Sequence, residues 1–174
     1  MLTFARVRAL AILTGLILVA LITVSAAIIR DSGVATATSS CGDGDVVANV
    51  TLADPSEIKI NVFNATEQTG LAARVGENFA NRNFQVLNHD DDPQDVEVPD
   101  VAVLRYGPQA VGAAHVLRAY FLNTAVTEFT IEREDDVVDV IIGNGFRQLA
   151  TETEVRQSIA ALGNPTPPAG TCVA

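Results

Sequence analysis

Ile58-Lys59-Ile60-Asn61-Val62-Phe63-Asn64-Ala65-Thr66, followed at once by Glu67-Gln68-Thr69-Gly70-Leu71-Ala72-Ala73-Arg74-Val75-Gly76-Glu77-Asn78-Phe79, sets the architecture of this chain. Ile58, Ile60 and Val62 alternate with Lys59 and Asn61, the period of a strand with one buried face. The strand ends at Asn64-Ala65-Thr66. Leu71, Val75 and Phe79 then recur every four residues, which predicts a helix with one apolar stripe. Thr69 is placed to cap that helix, which begins near Gly70. Ala72, Gly76 and Ala80 flank the stripe and let the helix lie close to a sheet. Phe84 to Leu87 reads as a second strand, so strand, helix and strand form one right-handed crossover.

Downstream the same pattern repeats. His89 to Asp100 reads as a polar, acidic loop with two prolines. Val101-Ala102-Val103-Leu104 is a continuous apolar run, expected of a central strand covered on both faces. Gly107-Pro108 opens the next helix with Pro at its first position, and Ala110, Ala114, Leu117 and Phe121 form the inward stripe. Phe129 and Ile131 mark a fourth strand. Glu134-Asp135-Asp136 makes a turn, and Val137 to Ile142 forms a fifth strand. Glu152 to Leu162 is expected to be helical and to cover the sheet's other face, with Val155, Ile159 and Leu162 on one side. Pro165, Pro167 and Pro168 end it in an extended tail. These elements predict an α/β fold: a two-layer sandwich of a mixed sheet with two packed helices plus a C-terminal helix.

Upstream, Ala9 to Ile29 holds no charged residue. Its 21 residues (29 − 9 + 1) would rise roughly 31 Å as a helix, about the thickness of a bilayer's hydrocarbon core. Arg6 and Arg8 precede it, and basic residues stay on the cytoplasmic side, so the remainder is expected outside the cell membrane. A cleaved signal peptide is the rival reading, with Val24-Ser25-Ala26 or Ser25-Ala26-Ala27 as the cleavage site. The retained single-pass anchor is preferred because the run exceeds the roughly 7–15 apolar residues of a signal core. The expected organisation is residues 1–30 as cytoplasmic terminus and transmembrane helix, 31–55 as linker, 56–146 as the α/β domain, and 147–174 as helix and Pro-rich tail.

The net charge of −10 opposes nucleic acid and anionic lipid surfaces as partners. The two cysteines, Cys41 and Cys172, stand near the two ends of the outer segment. Outside the cytoplasm an even count favours a disulfide, and the termini of a compact domain often lie close together. A Cys41–Cys172 bridge is therefore expected, the rival being two free or intermolecular thiols. A short strand is also expected within Val46 to Leu52.

No G-x-S-x-G elbow, P-loop, H-E-x-x-H or paired metal thiolates occur in the sequence. His115 lies on a helix already explained by its apolar stripe and reads as a half-exposed structural residue. Asp90, Asp91, Asp92, Asp95, Glu97 and Asp100 could gather a hard cation, but adjacent aspartates cannot all face one ion and the EF-hand spacing is missing. A solvated acidic loop is the preferred reading, with no metal and no cofactor assigned. Asn49-Val50-Thr51 and Asn64-Ala65-Thr66 match the glycosylation pattern by chance in a chain of this composition. In the second, Asn and Thr at a strand-to-helix turn can satisfy free helix N–H groups, or receive a carboxylate, a phosphate or a glycan hydroxyl. Asn64, Thr66, Thr69 and Gly70 are the candidate binding residues.

Ile60-Asn61-Val62-Phe63-Asn64-Ala65-Thr66 and Gly70-Leu71-Ala72-Ala73-Arg74-Val75 resemble the opening of the LytR C-terminal domain, where a strand ends in an Asn-Gly-Thr-like turn before a Gly-Leu-Ala helix. Phe84-Gln85-Val86 is similar to its second strand, and Val103-Leu104-Arg105-Tyr106-Gly107-Pro108 to its third strand and turn. Val138 to Phe146 resembles its closing strand with a Gly-x-x-Phe end. The likeness spans Glu57 to Phe146, with Ala65 where the family usually has Gly. In many members this domain follows a LytR–CpsA–Psr catalytic domain that transfers glycopolymers to peptidoglycan; its arginine-rich site is missing here. An anchor followed by a lone domain of this kind resembles the actinobacterial envelope integrity proteins of the Cei group. The resemblance implies a non-catalytic role in cell envelope integrity, contributing to virulence in pathogens, with a cell-wall glycan or envelope-assembly protein as partner. Two other readings stand beside it: a structural subunit of an envelope membrane complex, and a wall-glycan-acting enzyme using carboxylates such as Glu57, Glu67 or Asp100.

Overall fold

The computed structural model describes residues 41–173. The expected membrane helix within residues 1–30 lies outside them. Among the described residues no helix is long and apolar enough to cross a membrane.

In chain order the elements are β1 (Val46–Val47), a 3₁₀ turn (Pro55–Glu57), β2 (Lys59–Asn64), α1 (Leu71–Ala80), β3 (Gln85–Asp91) and β4 (Ala102–Tyr106). A 3₁₀ turn (Pro108–Ala110) then leads into α2 (Val111–Tyr120), followed by β5 (Val126–Phe129), β6 (Val137–Ile142), α3 (Glu152–Leu162) and β7 (Thr171–Cys172). Five strands make one sheet in the order β3-β2-β6-β4-β5. β2 runs parallel to β3 and β6, β4 runs parallel to β5, and β4 is antiparallel to β6. The sheet is therefore mixed, with three helices.

The main core follows from the alternation. Ile60 and Val62 of β2, Val138, Val140 and Ile142 of β6, and Leu104 of β4 are fully buried on one face. Leu71, Val75 and Phe79 of α1 and Ala114 and Leu117 of α2 close over them, with Phe121 just beyond α2. Phe79, Phe84 and Tyr120 lock the two helices together, with ring centres 5.0–5.8 Å apart. The opposite face has a smaller apolar patch of Ala65, Val98, Val103 and Ile141, so β4 is covered on both sides as expected.

Several expectations need correction. α3 packs beside α2 and contributes Val155 to the main core; it does not cover the other face. That face is largely polar: Asn61 donates to Asp139 at 2.8 Å, and Arg133 pairs with Asp139 at 2.7 Å. An apolar stripe has little to bury there. β3 reaches Asp91, so the first residues of the expected acidic loop are strand. β3 is an edge strand with β2 on one side only, and a bulge at Leu87 breaks its alternation, so its sequence carries no strand period. The fourth strand occupies Val126–Phe129 rather than Phe129 to Ile131, again at an edge where little is buried. Upstream, only Val46–Val47 is strand, and it pairs with β7 outside the main sheet.

Cys41 and Cys172 are disulfide-bonded, with Cα atoms 5.5 Å apart. The bridge lies beside the β1–β7 pair and ties together residues 131 apart in sequence. His115 is buried, not half-exposed, and its Nε2 lies 2.9 Å from the Gly163 carbonyl at the end of α3. The neutral ring donates there and holds the C-terminus of α3 against α2.

Two outcomes follow. The chain-entropy relation gives a bridge of this span up to about 5 kcal/mol. Cys41→Ser is expected to lose stability approaching that amount in urea titrations, and reductant is expected to destabilise the parent chain while leaving the variant unchanged. Burial lowers the His115 pKa, with the Gly163 carbonyl opposing part of the shift. A base whose folded value lies below its unfolded value binds protons more readily when unfolded, so its contribution is lost as pH falls below about 6.5. The thermal midpoint should drop from that pH downward, and His115→Gln should flatten the slope below about pH 6.5.

Candidate functional site

β2 and β6 are parallel and in register from Lys59 opposite Val137 to Asn64 opposite Ile142. Both strands therefore end at the same level, and the chain leaves both on one side of the molecule. The first exit is the turn Asn64–Gly70; the second is Gly143-Asn144-Gly145-Phe146.

Asn64 organises the first turn. It is buried, and its Oδ1 accepts from the Thr66 amide at 3.2 Å and the Thr66 hydroxyl at 2.8 Å. Its Nδ2 donates to the Gln68 carbonyl at 3.2 Å and to Asp91 at 3.3 Å. Thr66 Oγ1 in turn accepts from the Gln68 amide at 3.1 Å. This is an Asx-type turn, in which a side chain replaces a backbone turn bond. Asn64 and Thr66 thus shape the turn rather than cap the helix. Thr69 is not the cap either: Gly70 holds that position at φ 73°, without a side-chain cap. Only glycine adopts that left-handed conformation freely. Ala65 has both backbone groups engaged, its N–H to Ile142 and its carbonyl to Val98, and its side chain is buried beside Val98. Its backbone offers nothing to a ligand.

The second exit needs its glycine. A Cβ on Gly143 would collide with the carbonyls of Val98 and Asp100. The close approach lets the Asn144 amide donate to Val98 at 2.8 Å and the Gly145 amide to Asp100 at 3.0 Å. The acidic segment is thereby fixed to the end of β6, and Asn144 also donates to Glu97 at 2.6 Å.

Between the first turn and this segment lies an open cleft of about 460 Å³, lined by Asn64, Thr66, Thr69 and Gly70 on one side and by Asp91, Asp95 and Glu97 on the other. All four sequence-predicted binding residues border it. A smaller hollow of about 310 Å³ adjoins it, sharing Thr66 and Glu67 and reaching Gly143, Asn144 and Phe146. With so many carboxylates on its rim, the cleft disfavours phosphate or carboxylate ligands and suits hydroxyl-bearing ones. Among the described residues no three His, Cys, Asp or Glu side chains converge as metal ligands would.

The expectation of a wholly solvated loop fails at Asp92. Its side chain is 1% exposed and accepts from Arg105 at 2.9 Å and 3.4 Å. Burial alone would lower the Arg105 pKa, but hydrogen bonds and charge from Asp92 and Glu128 outweigh it and hold the guanidinium above its ordinary value. This pair fastens the far wall of the cleft to β4. Its one sequence signal is an Arg directly after the apolar run Val101–Leu104. Of the carboxylates considered for catalysis, Glu57 precedes β2 and Glu67 follows it. A six-residue strand spans roughly 20 Å, beyond the 5–10 Å that paired glycosidase carboxylates need.

Comparison with known proteins agrees with this architecture. The family profile LytR_C, described as LytR cell envelope-related transcriptional attenuator, matches residues 57–146. A solved structure with TM-score 0.56 and 26% identity covers 69% of this chain and 82% of its own. It is the soluble domain of a conserved hypothetical secreted protein from Mycobacterium marinum. No curated protein sequence matches the chain.

Asp92→Ala leaves Arg105 half-buried with Glu128 alone. The expected loss is about 3 kcal/mol of folding stability, as for a broken buried pair, with faster amide exchange over residues 92–98. A loss below about 0.5 kcal/mol, typical of an ordinary surface change, would show that the pair does not hold the wall.

Proposed function

The chain belongs to the LytR_C family, and from that premise we propose that it works as a non-catalytic, extracytoplasmic domain that supports cell envelope integrity by binding a cell-wall component or a wall-assembly protein. The single-pass anchor at Ala9–Ile29 would hold it at the membrane, facing the wall. The reading is carried by one observation: the turn with the family's Asn-x-Thr pattern forms one wall of an open, polar cleft at the common end of β2 and β6.

The cleft suits recognition. Asn64 and Thr66 spend their hydrogen bonds within the turn and on Asp91, which makes the wall rigid before any ligand arrives. Thr69 and Gly70 are exposed beside it, at the entrance to α1. A rigid wall with exposed hydroxyl and backbone groups favours binding by lowering the ordering cost. The secreted relative and the −10 net charge both fit a working place away from nucleic acid.

A photo-crosslinker at Thr69 of the full chain, activated in living cells, tests the proposal. Adducts with wall glycan or with a wall-assembly protein are expected, absent when the crosslinker is moved to Ser56 at the other end of β2. No adduct at Thr69, or the same adducts from Ser56, would contradict the binding site.

A further inference from the structure

Eight basic side chains lie among the described residues. Lys59, Arg105, Arg133 and Arg156 each have a carboxylate within 4.0 Å. Arg74, Arg82, Arg118 and Arg147 make no such pair among those residues. Three of these four, Arg74, Arg82 and Arg147, line a single groove of about 670 Å³ between α1 and the segment from Phe146 to Thr151. No carboxylate lines it, in a chain with 21 acidic residues. The groove is thus a local inversion of the domain's charge.

Arg82 is held in place. Its Nη1 donates to the Ala150 carbonyl at 2.6 Å, and its guanidinium carbon lies 5.5 Å from the centre of the Tyr120 ring. Neither partner neutralises it. Arg74 and Arg147 are exposed and can reach over the groove from its two sides. Guanidinium groups meet phosphate and carboxylate with paired N–H bonds. The remaining lining mixes amides, including Asn78 and Gln148, with apolar surface from Leu71 and Phe146. Amides serve hydroxyls, and the apolar patch serves the C–H face of a sugar ring. A bare membrane surface fits less well, because the net negative charge opposes approach to anionic lipid.

We propose that this groove binds an anionic glycan: a hydroxyl-bearing sugar chain with phosphate or carboxylate substituents, its acidic group held by Arg74, Arg82 and Arg147. The proposal rests on the reading of the domain as a binder of envelope components and names the ligand chemistry. It also gives one end of the domain two unlike neighbouring surfaces. Gln68, Leu71 and Phe146 border both this groove and the hollow next to the Asn64 cleft. A sugar chain lying along them would place its charged units by the arginines and its neutral units by the acidic cleft.

The test uses the full chain in neutral detergent and calorimetric titration with pentamannose phosphate, pentagalacturonate, neutral pentamannose, inorganic phosphate and phosphatidylglycerol vesicles. At least one anionic sugar is expected to bind about tenfold or more tightly than neutral pentamannose, the gain typical of a charge-assisted bond. Arg74→Gln with Arg147→Gln should erase that advantage, while Arg156→Gln, which is not part of the groove's lining, should keep it. Equal binding of charged and neutral sugars, or an advantage that survives the double variant, would overturn the proposal. So would inorganic phosphate or vesicles binding as tightly as the sugars, which would assign the groove to free phosphate or to lipid. Crosslinking from Thr69 does not depend on these arginines, so failure here leaves the cleft reading to its own test.

Discussion

The in-register parallel pairing of β2 with β6 is the constraint on which the rest depends. Neither strand can shift by one residue without turning Ile60, Val62, Val138 and Val140 out of the core. Because the register is fixed, so is the level at which both strands end. The two exits, one organised by Asn64 and the other by Gly143, must therefore stand side by side. Parallel strands need a long connection, and here α1 and α2 supply the mass that buries the sheet's inner face. The same geometry that builds the core thus places the polar turns together at one end.

Around that end the molecule divides its charge. The cleft beside Asn64 is rimmed by carboxylates, of which Asp92 alone is tied down by Arg105. The groove beyond Phe146 is rimmed by arginines with no carboxylate in its lining. Elsewhere, Arg118 apart, the basic side chains among the described residues pair with carboxylates on the sheet's polar face or on α3. The Cys41–Cys172 bridge closes the opposite concern: it fastens the start of the described chain to its end, so that an anchor upstream would pull on a closed unit rather than on a loose tail.

Much of this was legible in the sequence where burial dictates pattern. The alternation Ile58-Ile60-Val62, the four-residue spacing Leu71-Val75-Phe79 and the run Val137–Ile142 all report a buried face, and each gave its element. The paired cysteines were legible because redox compartment and chain ends leave few partners. Edge strands are not: β3 and β5 bury little, so His89–Asp91 reads as loop and Val126 carries no strand signal. The place of α3 depends on which sheet face is polar, which only the pairing of Asp139 with Asn61 and with Arg133 reveals. Within the site, Asn64, Thr66, Thr69 and Gly70 are legible from the turn, but the Asp92–Arg105 pair and the three groove arginines each join residues scattered in sequence that only the fold brings together. Gly143 carried a signal in the Gly-x-x-Phe end, and its cause is steric.

Chemical-shift mapping of the isotope-labelled full chain in micelles, titrated with soluble wall fragments, asks most directly whether the shared end of β2 and β6 is where this domain meets its partner. Perturbations gathered over residues 64–70, 91–97 and 143–148 are the predicted result. Perturbations centred on the 3₁₀ turn at Pro55–Glu57 or on the edge of β5, with the shared end silent, would contradict it.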